Sequence, residues 1–188
     1  MIRIGVLGDI GSGKSYIAKK FGYPVFNADE EVGKLYEKNK KIYYQLKKSL
    51  PKYIYSFPID KTQISKAILN NKTNLRKIIK IVHFEVRKKL ILFLKKHKHK
   101  RIVILDIPLL LENNLNKKSD ILVFVQSKKF ETLERLNRRK NFNKSLYEKF
   151  KKIQLPLDYK KKKSHFIIKN NFTEKTVINN IKFILNKI

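Results

Sequence analysis

Eight residues near the amino terminus, Gly8-Asp9-Ile10-Gly11-Ser12-Gly13-Lys14-Ser15, repeat the pattern G-x-x-x-x-G-K-[ST] position by position. That spacing suits one task, holding phosphate groups. Gly11 and Gly13 let the backbone curl so that successive N–H groups point at β- and γ-phosphate oxygens. A helix that follows aims its positive dipole end at the same anions. Lys14 then reaches the transferred phosphoryl group, and the Ser15 hydroxyl ligates Mg²⁺. Gly8, Gly11, Ser12, Gly13, Lys14, Ser15 and Tyr16 form the expected ATP-binding stretch.

Phosphate loops serve kinases, motors, GTPases and helicases alike, so the acceptor must be read elsewhere. Asp29 ends a short apolar run, where a carboxylate can accept the proton of an attacking hydroxyl. It can equally cap a helix opening at Glu30-Glu31, and spacing alone leaves the two roles even. Asp106 closes a second, strongly apolar run, the Walker-B arrangement that holds Mg²⁺ directly or through water. A charge there is costly to bury without a cation or a hydrogen-bonding partner. Arg135 and Arg139 are four residues apart and share a face of the helix expected over residues 128–140. Among so many lysines, these two guanidinium groups suit bidentate phosphate contacts from a lid, with ion pairs to Glu131 and Glu134 as the competing use.

Five apolar runs read as strands, Ile2–Leu7, Tyr23–Ala28, Arg101–Ile107, Ile121–Gln126 and His165–Lys169. Three of them are nearly continuous in aliphatic residues, as strands buried on both faces of a parallel sheet must be. Helices are expected over Gly13–Phe21, Leu75–Leu94, Lys128–Lys140, Ser145–Ile153 and Thr173–Lys187. Gly22 stops the first of these and Thr173 caps the last. The alternation predicts an α/β fold, a five-stranded parallel sheet between helical layers. Residues 30–100 are too many for one crossover and must hold a helical insertion. One domain is expected, with a core over about 1–30 and 100–188, the insertion over about 30–100 and a lid over about 130–160.

Composition excludes several classes. The chain has 188 residues, no cysteine and a formal net charge of +30, with 42% hydrophobic residues. Disulfides, thiolate metal sites and cysteine nucleophiles are therefore absent, and the apolar content rules out a disordered polycation. The charge invites a nucleic-acid reading, yet only seven of the 45 basic residues are Arg, whereas nucleic-acid readers favour Arg forks. Residues 1–33 hold four basic and four acidic side chains, so the whole excess lies beyond the segment that carries the phosphate loop. A positive field can speed the capture of polyanionic substrates without marking a nucleic-acid site. The amino-terminal run lacks the apolar core of a signal peptide, and no apolar stretch approaches the roughly 18 residues of a membrane span. A cytoplasmic protein is expected.

With these residues assembled, the chain resembles the dephospho-coenzyme A kinase family over nearly its whole length. The loop GDIGSGKS matches the family's GGIGSGKS with Asp9 for one glycine, and Asn27-Ala28-Asp29 matches Asp-Ala-Asp. His83-Phe84 falls where the family has a helical His-Pro pair. Asp106-Ile107-Pro108-Leu109-Leu110-Leu111-Glu112 matches Asp-Ile-Pro-Leu-Leu-Phe-Glu, and Arg135-Leu136 with Arg139 matches the lid's Arg-Leu-x-x-Arg. Gln154, Pro156, Lys160 and Asn170 match the family's Gln-x-Pro-x-x-x-Lys and the Asn that closes the last strand. Further departures are Phe150 for a lid Arg and His165 for an acidic residue.

The resemblance implies a P-loop kinase fold and Mg²⁺-assisted phosphorylation of the ribose 3′-hydroxyl of dephospho-CoA by ATP. It assigns Asp29 as general base, Lys14, Arg135 and Arg139 as charge stabilisers, and Ser15 and Asp106 as Mg²⁺ holders. Asn170 would border the adenine, while Asp29, Asp106 and His83 would face the acceptor, the insertion being its binding region. The competing readings are a nucleoside monophosphate or shikimate kinase of the same architecture, and a nucleic-acid-binding P-loop NTPase. The first wants an Arg-rich acceptor site, and the insertion offers only Arg76 and Arg87; the second rests on charge alone.

Overall fold

Three runs too apolar for a water-facing strand set the frame, β1 (Ile2–Gly8), β3 (Ile102–Asp106) and β4 (Ile121–Gln126). In the computed structural model, which describes residues 1–140 and 142–188 and only the backbone of Lys72, they lie side by side at the centre of a sheet. β2 (Val25–Asn27) and β5 (Phe166–Lys169) form its edges. The order is β2-β3-β1-β4-β5, every pairing is parallel, and helices cover both sides. Such a sheet gathers the carboxyl ends of all five strands along one edge, where ligands bind in α/β folds.

Alternate residues build the core of one face. Ile4 and Val6, Ile102 and Ile104, Val123 and Val125, and Ile168 pack against α1 (Lys14–Lys20) and α9 (Glu174–Lys187) through Ile17, Phe21, Val177, Ile181 and Ile184. Gly22, at φ 75°, sits just past the end of α1, where a left-handed residue stops the helix. Arg3 is buried beside Asp120 at 2.9 Å and also donates to the Leu115 carbonyl oxygen, which satisfies a charge that apolar neighbours would otherwise expel.

The chain forms two compact units. The first comprises residues 1–27, 97–142 and 151–188, with α6 (Lys129–Asn137) and α8 (Leu157–Lys162) besides the sheet, α1 and α9. The second comprises residues 28–96 and 143–150, with α2 (Ala28–Lys38), α3 (Lys40–Ser49), α4 (Lys61–Asn70), α5 (Lys72–Lys96) and most of α7 (Lys144–Lys151). In this unit α5 lays Leu75, Ile78, Val82, Val86 and Leu90 along one face, at helical spacing. Ile79 and Phe93 are only half-buried at its margin. The Lys149 ammonium donates to the carbonyl oxygens of Ile68 and Leu69, both at 2.8 Å. A cation there satisfies the last carbonyls of α4, which have no partner within that helix.

Several boundaries differ from expectation, two of them near the site. β2 is shorter than the run Tyr23–Ala28, because Pro24 cannot donate to a ladder and Ala28 already belongs to α2. α6 ends at Asn137, a poor helix former, and the Arg139 N–H closes a turn onto the Leu136 carbonyl oxygen. Arg139 therefore stands beyond the helix and does not share a helical face with Arg135. Asn141, inside the expected lid, lies outside the described residues.

Candidate active site

The turn from β1 into α1 builds an anion cradle. Gly11 and Gly13 take φ values of 83° and 92°, the left-handed region, and both are crowded. A Cβ on Gly11 would meet Leu136 of α6 at 2.8 Å, and one on Gly13 would meet the Asn170 amide at 2.5 Å. Only glycine fits both demands. The Lys14 ammonium donates to the Asp9 carbonyl oxygen at 2.7 Å, folding back over the loop that it must serve. The Asp9 carboxylate accepts from the Ile10 N–H at 2.7 Å, so the departure from the family's glycine is tied into the loop's own backbone.

Asn170 braces this loop from the far edge of the sheet. It is buried, its side-chain amide donates to the Ser12 carbonyl oxygen at 2.8 Å, and its oxygen accepts from the Phe172 N–H. Phe172 in turn carries Arg135, whose guanidinium lies 4.3 Å from the ring centroid. Arg135 is thus held against the loop after β5. Glu134 pairs with Arg138 and Glu131 with Lys128, so neither of the two guanidinium groups at positions 135 and 139 is used up by those carboxylates. Ser15 and Tyr16 are exposed on the first turn of α1.

Asp106 stands at the carboxyl end of β3, 3% exposed, and accepts from the Asn27 side-chain amide at 2.8 Å. Asn27 and Asp106 are register partners across β2 and β3. Among the described residues no cluster of three His, Asp or Glu side chains can hold a metal alone. One buried carboxylate and a serine hydroxyl are hard oxygen donors, the set that takes Mg²⁺ when nucleotide phosphates supply the remaining ligands. The residues present fit that ion. A cleft of about 360 Å³ opens beside the loop, lined among others by Asp9, Gln126, Ser127, Lys129, Lys151 and Lys161. Its cations suit a charged ligand.

Asp29 and His83 belong to the second unit. Asp29 lies inside the first turn of α2, with Glu30 and Glu31, and not at its N-cap. Three carboxylates there complement the positive end of the helix. His83 is half-buried midway along α5; burial and then the Arg87 charge push its pKa below the ordinary 6.5. The unfolded chain then binds that proton more readily, so the His83 contribution to stability is whole above pH 6.5 and is lost as pH falls below it. A His83→Gln protein is expected to lose less stability than the wild type between pH 7 and about 5.5 in urea titrations. Parallel losses in the two proteins would remove His83 as the titrating group.

One buried contact was not legible in the sequence beyond the motifs that hold its two residues. Lys160 is 1% exposed and its ammonium lies 2.6 Å from Glu112 Oε1, which also accepts from the Leu155 N–H. This buried ion pair fastens the segment after β3 to the stretch that leads into α8. His165, where the family has an acidic residue, accepts the Leu122 N–H at Nδ1 and donates its own N–H to the Leu122 carbonyl oxygen, extending the β4–β5 ladder.

The dephospho-CoA kinase family model matches residues 2–175. The chain belongs to the dephospho-CoA kinase family. It is 34% identical over 190 residues to the dephospho-CoA kinase of Wolbachia sp. subsp. Brugia malayi, covering 98% of this chain and 97% of that protein. It is 33% identical, over the same shares, to the dephospho-CoA kinase of Wolbachia pipientis wMel. Among solved structures, the dephospho-CoA kinase from Campylobacter jejuni aligns with a TM-score of 0.63 at 20% identity, over 98% of this chain and 96% of that one. A shikimate kinase from Acinetobacter baumannii aligns at 0.52 and 15% identity, over 100% of this chain and 92% of that one. At such identities the structural likeness speaks for the P-loop kinase fold, whereas the sequence matches separate this family from others with the same fold.

Proposed function

We propose that this chain transfers the γ-phosphoryl group of ATP to the ribose 3′-hydroxyl of dephospho-CoA, giving coenzyme A and ADP in CoA biosynthesis, within the cytoplasm. The observation that carries this reading is the family match, which spans the phosphate loop and every acceptor-side motif together. The crowded glycine turn, with Lys14 folded over it, supports the nucleotide half.

The division of labour follows from charge. Backbone N–H groups from Gly11 to Ser15 receive the β- and γ-phosphates, and Lys14 exchanges the Asp9 carbonyl oxygen for phosphate oxygens. Arg135, steadied on Phe172, and Arg139 neutralise charge that builds on the transferring group. Asp29 takes the proton of the 3′-hydroxyl as that oxygen attacks phosphorus. Ser15 and Asp106 would hold Mg²⁺, which would supply charge neutralisation on the nucleotide phosphates. The insertion, with His83, binds the acceptor. The domain roles are those of a core over about 1–30 and 100–188, an acceptor-binding insertion over about 30–100 and a lid over about 130–160.

An ADP-release assay with Mg·ATP and, in parallel, dephospho-CoA, AMP or shikimate separates the possible acceptors. Turnover on the order of 1–100 s⁻¹ is expected with dephospho-CoA and background rates with the others. Faster turnover with AMP or shikimate would assign the chain to a different acceptor.

A further inference from the structure

A buried carboxylate at a cation site needs something to fix its direction, and here the partner is unusual. Asp106 is bonded through Oδ2 by a neutral donor, the Asn27 amide, at 2.8 Å. The contact is built into the sheet, since Asn27 and Asp106 are register partners of parallel neighbours β2 and β3 and so project to the same face. Two carboxylates at this spacing repel unless a cation lies between them. An amide does the opposite, because it fixes the carboxylate without adding charge. It leaves one negative charge where a pair would present two.

We propose that Asn27 is the positioning residue that orients Asp106 toward Mg²⁺, and that its neutral amide restricts the divalent cation to arriving with nucleotide phosphates. This rests on the reading of Asp106 as a Mg²⁺ holder. One carboxylate and a hydroxyl bind the ion weakly by themselves, and the phosphates complete the site. The same geometry makes position 27 a switch. A carboxylate there, 2.8 Å from Asp106 in place of the amide nitrogen, creates a cation site that needs no nucleotide.

The test is electron paramagnetic resonance of Mn²⁺ titrated into the purified full chain, with and without a non-hydrolysable ATP analogue. The wild type is expected to bind Mn²⁺ only with the analogue present. Asn27→Asp should bind it without the analogue, at least about tenfold more tightly than the wild type under that condition. Asn27→Ser should bind Mn²⁺ about 10–100-fold more weakly with the analogue present, the usual loss when an outer partner of a metal ligand is removed. Circular dichroism establishes that each variant is folded before titration, and Asn27→Asp, nearly identical in shape, keeps the test open if Asn27→Ser unfolds. No gain in Asn27→Asp, wild-type affinity in Asn27→Ser, or strong nucleotide-free binding by the wild type would overturn the role of Asn27. Asp106→Asn reports separately, since wild-type Mn²⁺ affinity there would overturn the reading of Asp106 itself.

Discussion

Asp29→Asn is expected to lower kcat by about 10²–10⁴-fold while leaving ATP affinity near that of the wild type. The substitution keeps size and shape and removes only the capacity to accept a proton. Asp29 lies in the first turn of α2, so the lost charge costs the helix about 0.3–1 kcal/mol of dipole stabilisation, with Glu30 and Glu31 still in place. Folding is thus spared while chemistry is not. The bonds of the phosphate loop from Lys14 to the Asp9 carbonyl oxygen and from Asn170 to the Ser12 carbonyl oxygen do not involve the Asp29 side chain. Steady-state kinetics with both substrates varied separates the outcomes: a fall confined to kcat supports the base, and an unchanged kcat removes Asp29 from that role.

Lys160→Met is expected to destabilise the protein by about 3–5 kcal/mol, the usual cost of orphaning one member of a buried ion pair. At about 2–4 °C per kcal/mol for a chain of this size, the melting midpoint should fall by roughly 10 °C. The reason is Glu112, whose side chain is 9% exposed and would be left with the Leu155 N–H as a remaining donor. Its Oε2 already lies buried with no hydrogen-bond partner. Adding Glu112→Leu to Lys160→Met should recover most of the loss, because a buried pair replaced by apolar groups of similar volume is often neutral. A Lys160→Met midpoint equal to that of the wild type would contradict the burial of this pair.

These two residues mark how unevenly the sequence discloses its structure. Asp29 was read as a candidate because a carboxylate just past an apolar run is expected at the binding edge of a parallel sheet. Of its two candidate roles, base and N-cap, the helix start at Ala28 removes the N-cap. Lys160 was legible only as part of a motif, because in Lys160-Lys161-Lys162-Lys163 nothing local tells the one buried lysine from its neighbours. Burial there is decided by Glu112, 48 positions away. Strands β1, β3 and β4 announced themselves through unbroken aliphatic runs. α2, α3 and α4 were seen only as an insertion, since their apolar residues are few among lysines and their packing partners come from α5. Arg139 was misplaced because the cationic run past Asn137 keeps a helical spacing that the backbone abandons. The bond from Asn27 to Asp106 emerges only once β2 and β3 are paired in register.

The central claim is tested most directly by the product. The protein incubated with γ-³²P-labelled ATP, Mg²⁺ and dephospho-CoA should move label into a species that co-migrates with coenzyme A and loses its label to a 3′-nucleotidase. Label that stays in ATP, passes only to water, or enters a product resistant to that enzyme would contradict phosphoryl transfer to the ribose 3′-hydroxyl.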